Sequence, residues 1–78
     1  MQIEVISPSK QLFSAEIEMA QFPGVNGSFQ VLKNHAPIIA LISAGNIRVR
    51  KNDGKEEDIA VKGGVVEVQN NKILVLAE

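Results

Sequence analysis

His35 is the single side chain in this sequence that titrates near neutrality without perturbation, so acid–base chemistry would have to start there. It stands in Asn34-His35-Ala36-Pro37, a turn entering an apolar run, where a histidine serves more readily as a loop hydrogen-bonder than as a base. Nucleophilic catalysis needs a serine beside a base and an orienting acid, and Ser7, Ser9, Ser14, Ser28 and Ser43 fall in no nucleophile-elbow pattern. Glu16 and Glu18 share one face of a strand, but flanking Ile17 they read as its solvated side rather than as a working carboxylate pair. Gly24-Val25-Asn26-Gly27 resembles a phosphate cradle only in glycine content. No Lys-Ser or Lys-Thr follows it and no helix pattern opens behind it, so it reads as a tight loop. One His and no Cys supply no ligand set for zinc or iron. The expectation is no catalytic site, no metal and no cofactor.

The elements that hold these residues belong to one small domain spanning residues 1 to 78, too short for a second and without a cysteine to staple it. An apolar fraction of 45% with 22% charged residues is a globular composition, so the chain is expected to fold. A net charge of −1 gives no basic field for a phosphate backbone, and three Phe as the only aromatics give no stacking platform for single strands. Nucleic-acid binding is excluded on those grounds. The start Met1-Gln2-Ile3-Glu4 has no basic and apolar signal-peptide pattern, and no run approaches the roughly 20 apolar residues of a membrane span.

Nine Val and nine Ile against five Leu favour pleated strands over helices. Turn residues at Ser7-Pro8-Ser9, Phe22-Pro23-Gly24, Asn26-Gly27, Ala44-Gly45, Asn52-Asp53-Gly54, Gly63-Gly64 and Asn70-Asn71 divide the chain into short strands, which predicts an all-β sandwich or small barrel. Pro37 could open one short helical turn without changing that class. Asn52-Asp53-Gly54 suits a three-residue hairpin with Gly in the left-handed position, which sets Arg50 opposite Glu56, Arg48 opposite Asp58 and Ile47 opposite Ile59. A second hairpin at Asn70-Asn71 sets Val66 opposite Val75 and Val68 opposite Ile73, all four facing the core. Its other face carries Val65, Leu74 and Leu76 beside Glu67, too apolar for a solvated sheet face, and is expected to be covered by a further strand or by a partner.

The run from Phe22 to Ile39, Phe-Pro-Gly-Val-Asn-Gly-Ser-Phe-Gln-Val-Leu-Lys-Asn-His-Ala-Pro-Ile-Ile, followed by Leu41 and Gly45-Asn46-Ile47, resembles the epsilon subunit of the F-type ATP synthase. Ile3-Glu4-Val5-Ile6-Ser7-Pro8 with Phe13-Ser14, and Gly63-Gly64-Val65-Val66-Glu67-Val68 with Val75-Leu76-Ala77, extend the resemblance over essentially all 78 residues. It implies a flattened ten-stranded β-sandwich acting as a non-catalytic part of the rotor's central stalk, on the cytoplasmic face of the bacterial membrane. Its implied partners are the gamma subunit and the membrane ring of c subunits. Asn26, Gly27 and Ser28 are expected on the c-ring side, and Ser7, Asn34, His35, Leu74 and Leu76 on the gamma side. Ser28 is uncharged where several members of that family are acidic, and Gln30 replaces a residue commonly Gly. Such subunits normally continue past the position of Glu78 into a helical pair that inhibits ATP hydrolysis; these residues contain no such pair, so that inhibition is not carried over. A biotinyl or lipoyl carrier domain is the rival all-β reading, with Lys55 at a hairpin tip, but Gly54-Lys55-Glu56 matches neither carrier's modified-lysine pattern.

Overall fold

The β-branched bias is realised as strand throughout. A computed structural model describes residues 1 to 78 and contains six strands and no helix: β1 (Gln2–Ile6), β2 (Gln11–Phe22), β3 (Phe29–Leu32), β4 (Ile38–Lys51), β5 (Glu56–Gln69) and β6 (Lys72–Ala77). Their order is β1-β6-β5-β4-β2-β3, and β1 also pairs with β2, so the sheet closes on itself. All neighbours are antiparallel except β1 and β6, the first and last strands, which run parallel.

The ten strands expected are six because three of them are long. Strands β2, β4 and β5 run for 12, 14 and 14 residues, and each contributes a segment to both layers. One layer holds β1, β6, the start of β2, the end of β5 and the start of β4; the other holds β3 with the end of β2, the end of β4 and the start of β5. Ala44-Gly45 and Gly63-Gly64 read as strand ends, yet pairing continues past them from Ser43↔Gly63 to Gly45↔Val61. Gly45 (φ 155°), Gly63 (φ 136°) and Gly64 (φ 150°) carry the chain between layers in a conformation that side chains with a Cβ rarely adopt. No helical turn follows Pro37, because β4 begins at Ile38 and its residues are taken by pairing with β5.

Both hairpins have the expected register. Lys51 N–H donates to Lys55 O at 2.8 Å and Gly54 N–H to Lys51 O at 2.9 Å, leaving Asn52, Asp53 and Gly54 as the loop, with Gly54 at φ 87°. Arg48 Nε meets Asp58 Oδ1 at 3.2 Å, Arg50 Nη2 meets Glu56 Oε2 at 3.1 Å, and Lys51 pairs with Glu57. The second hairpin turns on Asn70 and Asn71, at φ 53° and 59°. Fifteen buried apolar residues from all six strands form one cluster, with Phe22, Ile3, Ile17, Ile47 and Ile73 among its largest members. Val66, Val68, Ile73 and Val75 lie in it as expected. The molecule measures 27 × 23 × 19 Å, a modest flattening.

Candidate partner-binding surface

Alternation fixes what each layer shows to the outside, because successive side chains on a strand point to opposite faces. On the layer built from β1, β6, β5 and β4, the outward residues fall into rows across the strands. The first row reads Ile6, Leu76, Val65, Leu41, and the second Glu4, Leu74, Glu67, Ile39. A third is polar, with Gln2, Lys72 and Gln69. The opposite layer carries Gln30, Gln21, Arg48 and Asp58 in one outward row, the composition of a solvated face. The two outer faces therefore differ in kind.

No strand of this chain covers the apolar face, which removes the first of the two expected covers. Ile39 is 75% exposed, Leu41 60% and Leu76 48%, while Ile6, Val65 and Leu74 are half-buried among them. Val25, 56% exposed, adds to the patch from the loop before β3, where its N–H donates to Leu41 O at 3.2 Å. Shallow grooves break this face, one between Ile39 to Leu41 and the Gly24–Phe29 loop, another between Leu76 and the turn at Ser7 and Pro8.

The expected site residues sort into two ends of that face. Asn26, Gly27 and Ser28 are exposed in the loop beside Leu41, anchored by Gly27 N–H to Gly24 O at 3.0 Å and by the Phe22–Phe29 ring stack at 5.3 Å. Ser7 lies past Ile6 at the other flank of the same row, where its Oγ and N–H both bond Lys10 O and shape the β1–β2 turn. Asn34 and His35 lie at the far end, beside Asn71, about 17 Å along the β6 direction from Leu76 at the usual strand rise. Leu76 lies in that first row between Ile6 and Val65, and Leu74 lies in the next row toward the far end. The residues expected on the gamma side thus span the whole face, and Ser7 shares its end with the loop expected at the ring.

Acid–base chemistry finds no constellation in this structure. His35 Nδ1 lies 2.7 Å from Ala36 O, a bond to its own loop, and the His35 main-chain N–H donates to Leu32 O at 3.2 Å. Glu16 receives the amino-terminal ammonium at 3.2 Å and Glu18 lies 3.9 Å from Arg50, so the two carboxylates serve separate ion pairs. Ser14 Oγ accepts from Gln2 Nε2, and Ser43 Oγ donates to Pro23 O. The Lys51 ammonium is held above its ordinary pKa range, first by the hydrogen bond to Glu57. Lys55, at the hairpin tip, has its N–H bonded to Asp53 Oδ1 at 2.9 Å. The outward apolar rows of β1 and β4 escape sequence reasoning, since their parity depends on long-range pairing; the signal available is the uncharged run Ile38 to Ile42.

Residues 1–78 match the family model described as the β-sandwich domain of the ATP synthase Delta/Epsilon chain. The chain belongs to that family. Among curated ATP synthase epsilon chains, it is 41% identical to that of Chlorobaculum tepidum over 97% of its length and 86% of that protein's. Identity is 39% to that of Dichelobacter nodosus and 44% to that of Psychrobacter cryohalolentis, where it spans 54% and 56% of the longer chains. The epsilon-type sandwich also superposes, with a TM-score of 0.89 at 16% identity, on a chain of the Euglena gracilis mitochondrial ATP synthase, over 96% of this chain and 48% of that one. A chain of the Tetrahymena thermophila mitochondrial ATP synthase central stalk and c-ring gives 0.81 at 14%, over 99% and 62%. At such identities the likeness is one of fold.

Proposed function

We propose that this chain is a non-catalytic part of the central stalk of a rotary ATP synthase, a single sandwich module peripheral to the membrane on its cytoplasmic side. It binds the gamma subunit through the outer face of β1, β6, β5 and β4, and the c-ring through the end that carries Asn26, Gly27 and Ser28. Family membership supports the complex. The observation that carries the gamma assignment is the contrast between the two outer faces, one with the apolar row Ile6, Leu76, Val65, Leu41 and the other lined by Arg48, Asp58, Gln21 and Gln30. A rotor part must move with its partner under load, and a continuous apolar strip supplies non-directional adhesion that salt does not screen. The ring-side loop is uncharged, so contact there rests on shape and short hydrogen bonds.

The test is capture of gamma by the tagged chain. Leu41→Asp and Leu76→Asp place charges on exposed positions, so both variants are expected to fold and to lose gamma. Gln30→Asp on the polar face is expected to keep it. Gamma bound as well by both Leu variants as by the parent chain would reject this face.

A further inference from the structure

We infer that Asn71 is a positioning residue: from the β5–β6 turn it holds the Asn34–His35 turn in the shape offered to the gamma subunit. What the turn touches rests on the function proposed above; how it is held does not. The two turns are 37 residues apart in sequence and meet through a reciprocal amide pair. Asn34 N–H donates to Asn71 Oδ1 at 2.6 Å, and Asn71 Nδ2 donates to Asn34 Oδ1 at 2.9 Å. Asn71 O accepts from Gln2 N–H at 3.2 Å, so one residue joins the start of β1, the β3–β4 loop and the β5–β6 hairpin.

The identity of residue 71 follows from three demands made together. Its φ of 59° restricts it to Gly, Asn or Asp at low strain. Its side chain must accept from a main-chain N–H, which Gly cannot do. It must also donate to an amide oxygen, which ionised Asp cannot do. Asn alone meets all three. Asn34, at φ 63°, needs only an acceptor in its side chain, so Asp would serve there equally well. The loop has few other ties: His35 N–H to Leu32 O closes the turn, and the His35 ring bonds only Ala36 O. With neither anchor in the core, the shape of residues 33 to 36 depends on the amide pair.

That asymmetry gives a charge-controlled test, because Asn71→Asp and Asn34→Asp add the same charge at nearly the same place. Amide hydrogen exchange at Asn34 and gamma affinity are measured on the 78-residue chain carrying Asn71→Gly, Asn71→Asp or Asn34→Asp. Asn71→Gly keeps the backbone conformation and removes both bonds, so Asn34 exchange should rise about tenfold and gamma affinity fall about fivefold to tenfold. Asn71→Asp should move both readings the same way, and Asn34→Asp, which keeps an acceptor for Asn71 Nδ2, should leave main-chain exchange at residue 34 within about twofold of the parent. Unchanged Asn34 exchange in Asn71→Gly would overturn the inference, as would equal acceleration of exchange at residue 34 in the two Asp variants. Faster exchange with undiminished gamma affinity would also overturn it. In that case Leu76→Asp tells whether only this turn, or the whole gamma-binding face, has been misassigned.

Discussion

Val75 and Leu76 are neighbours on β6 and point to opposite sides of it: Val75 has no accessible surface, while Leu76 keeps 48% of its own. Replacing each by Ala therefore separates folding from binding. Val75→Ala leaves a cavity among Val5, Val66 and the rest of the core and should cost about 2 kcal/mol in a denaturant titration. Leu76→Ala should stay within about 1 kcal/mol of the parent chain and weaken gamma capture. Equal destabilisation by the two would mean that Leu76 belongs to the core.

Gly64 bends β5 between layers at φ 150°, and a Cβ there would run into Leu76 O. Gly64→Ala should cost at least about 2 kcal/mol, because the strained backbone and the collision add. Gly54→Ala is strained as well, at φ 87°, but its Cβ would meet nothing, so its cost should be the smaller. A melting temperature for Gly64→Ala equal to that of Gly54→Ala would show that the close approach to β6 has no energetic weight.

Local chemistry makes the two hairpins legible in the sequence, down to the pairing of Arg48 with Asp58 and of Val66 with Val75. Turn residues and alternation act over a few positions, and both are visible there. Strand number is not. Gly45 and Gly63-Gly64 look like turn residues, and only the pairing of β4 with β5 across the layers distinguishes a bend from a stop. The apolar face is half legible for the same reason. Leu74 and Leu76 follow from the hairpin, whereas Ile6, Ile39 and Leu41 need the parallel contact with β1 and the register of β4. The Asn34–Asn71 pair leaves no trace in the sequence, since no local rule joins two turns 37 residues apart.

Lys51 provides a pH prediction with a definite sign. Its pKa is raised above the ordinary lysine value, chiefly by the Glu57 hydrogen bond. Its contribution to stability is thus fully present below the unfolded value and is lost as pH rises through the folded one. A carbon-detected titration of the Lys51 side chain should give a midpoint that falls in Glu57→Gln. An unmoved midpoint would show that the pair is not formed in solution.

Ser28 is the position at which the proposed ring contact is most open to challenge. It is exposed, it precedes β3, and it borders a polar groove shared with Gln21, Asn46, Arg48 and Asp58. Because Ser28 is exposed, bulk added there is met by solvent rather than by the core. Ser28→Trp should therefore leave the melting temperature of the isolated chain within a few degrees of the parent, as exposed loop substitutions do. In reconstituted enzyme the same change should weaken attachment to the ring or uncouple ATP hydrolysis from ion pumping. Asn26→Asp adds charge with almost no bulk, and at a contact governed by shape its effect should be the smaller of the two. If Ser28→Trp assembles and pumps like the parent, the Asn26–Ser28 loop is not at the ring. The end of the sandwich bearing Asn34 and His35 would then be the one to test.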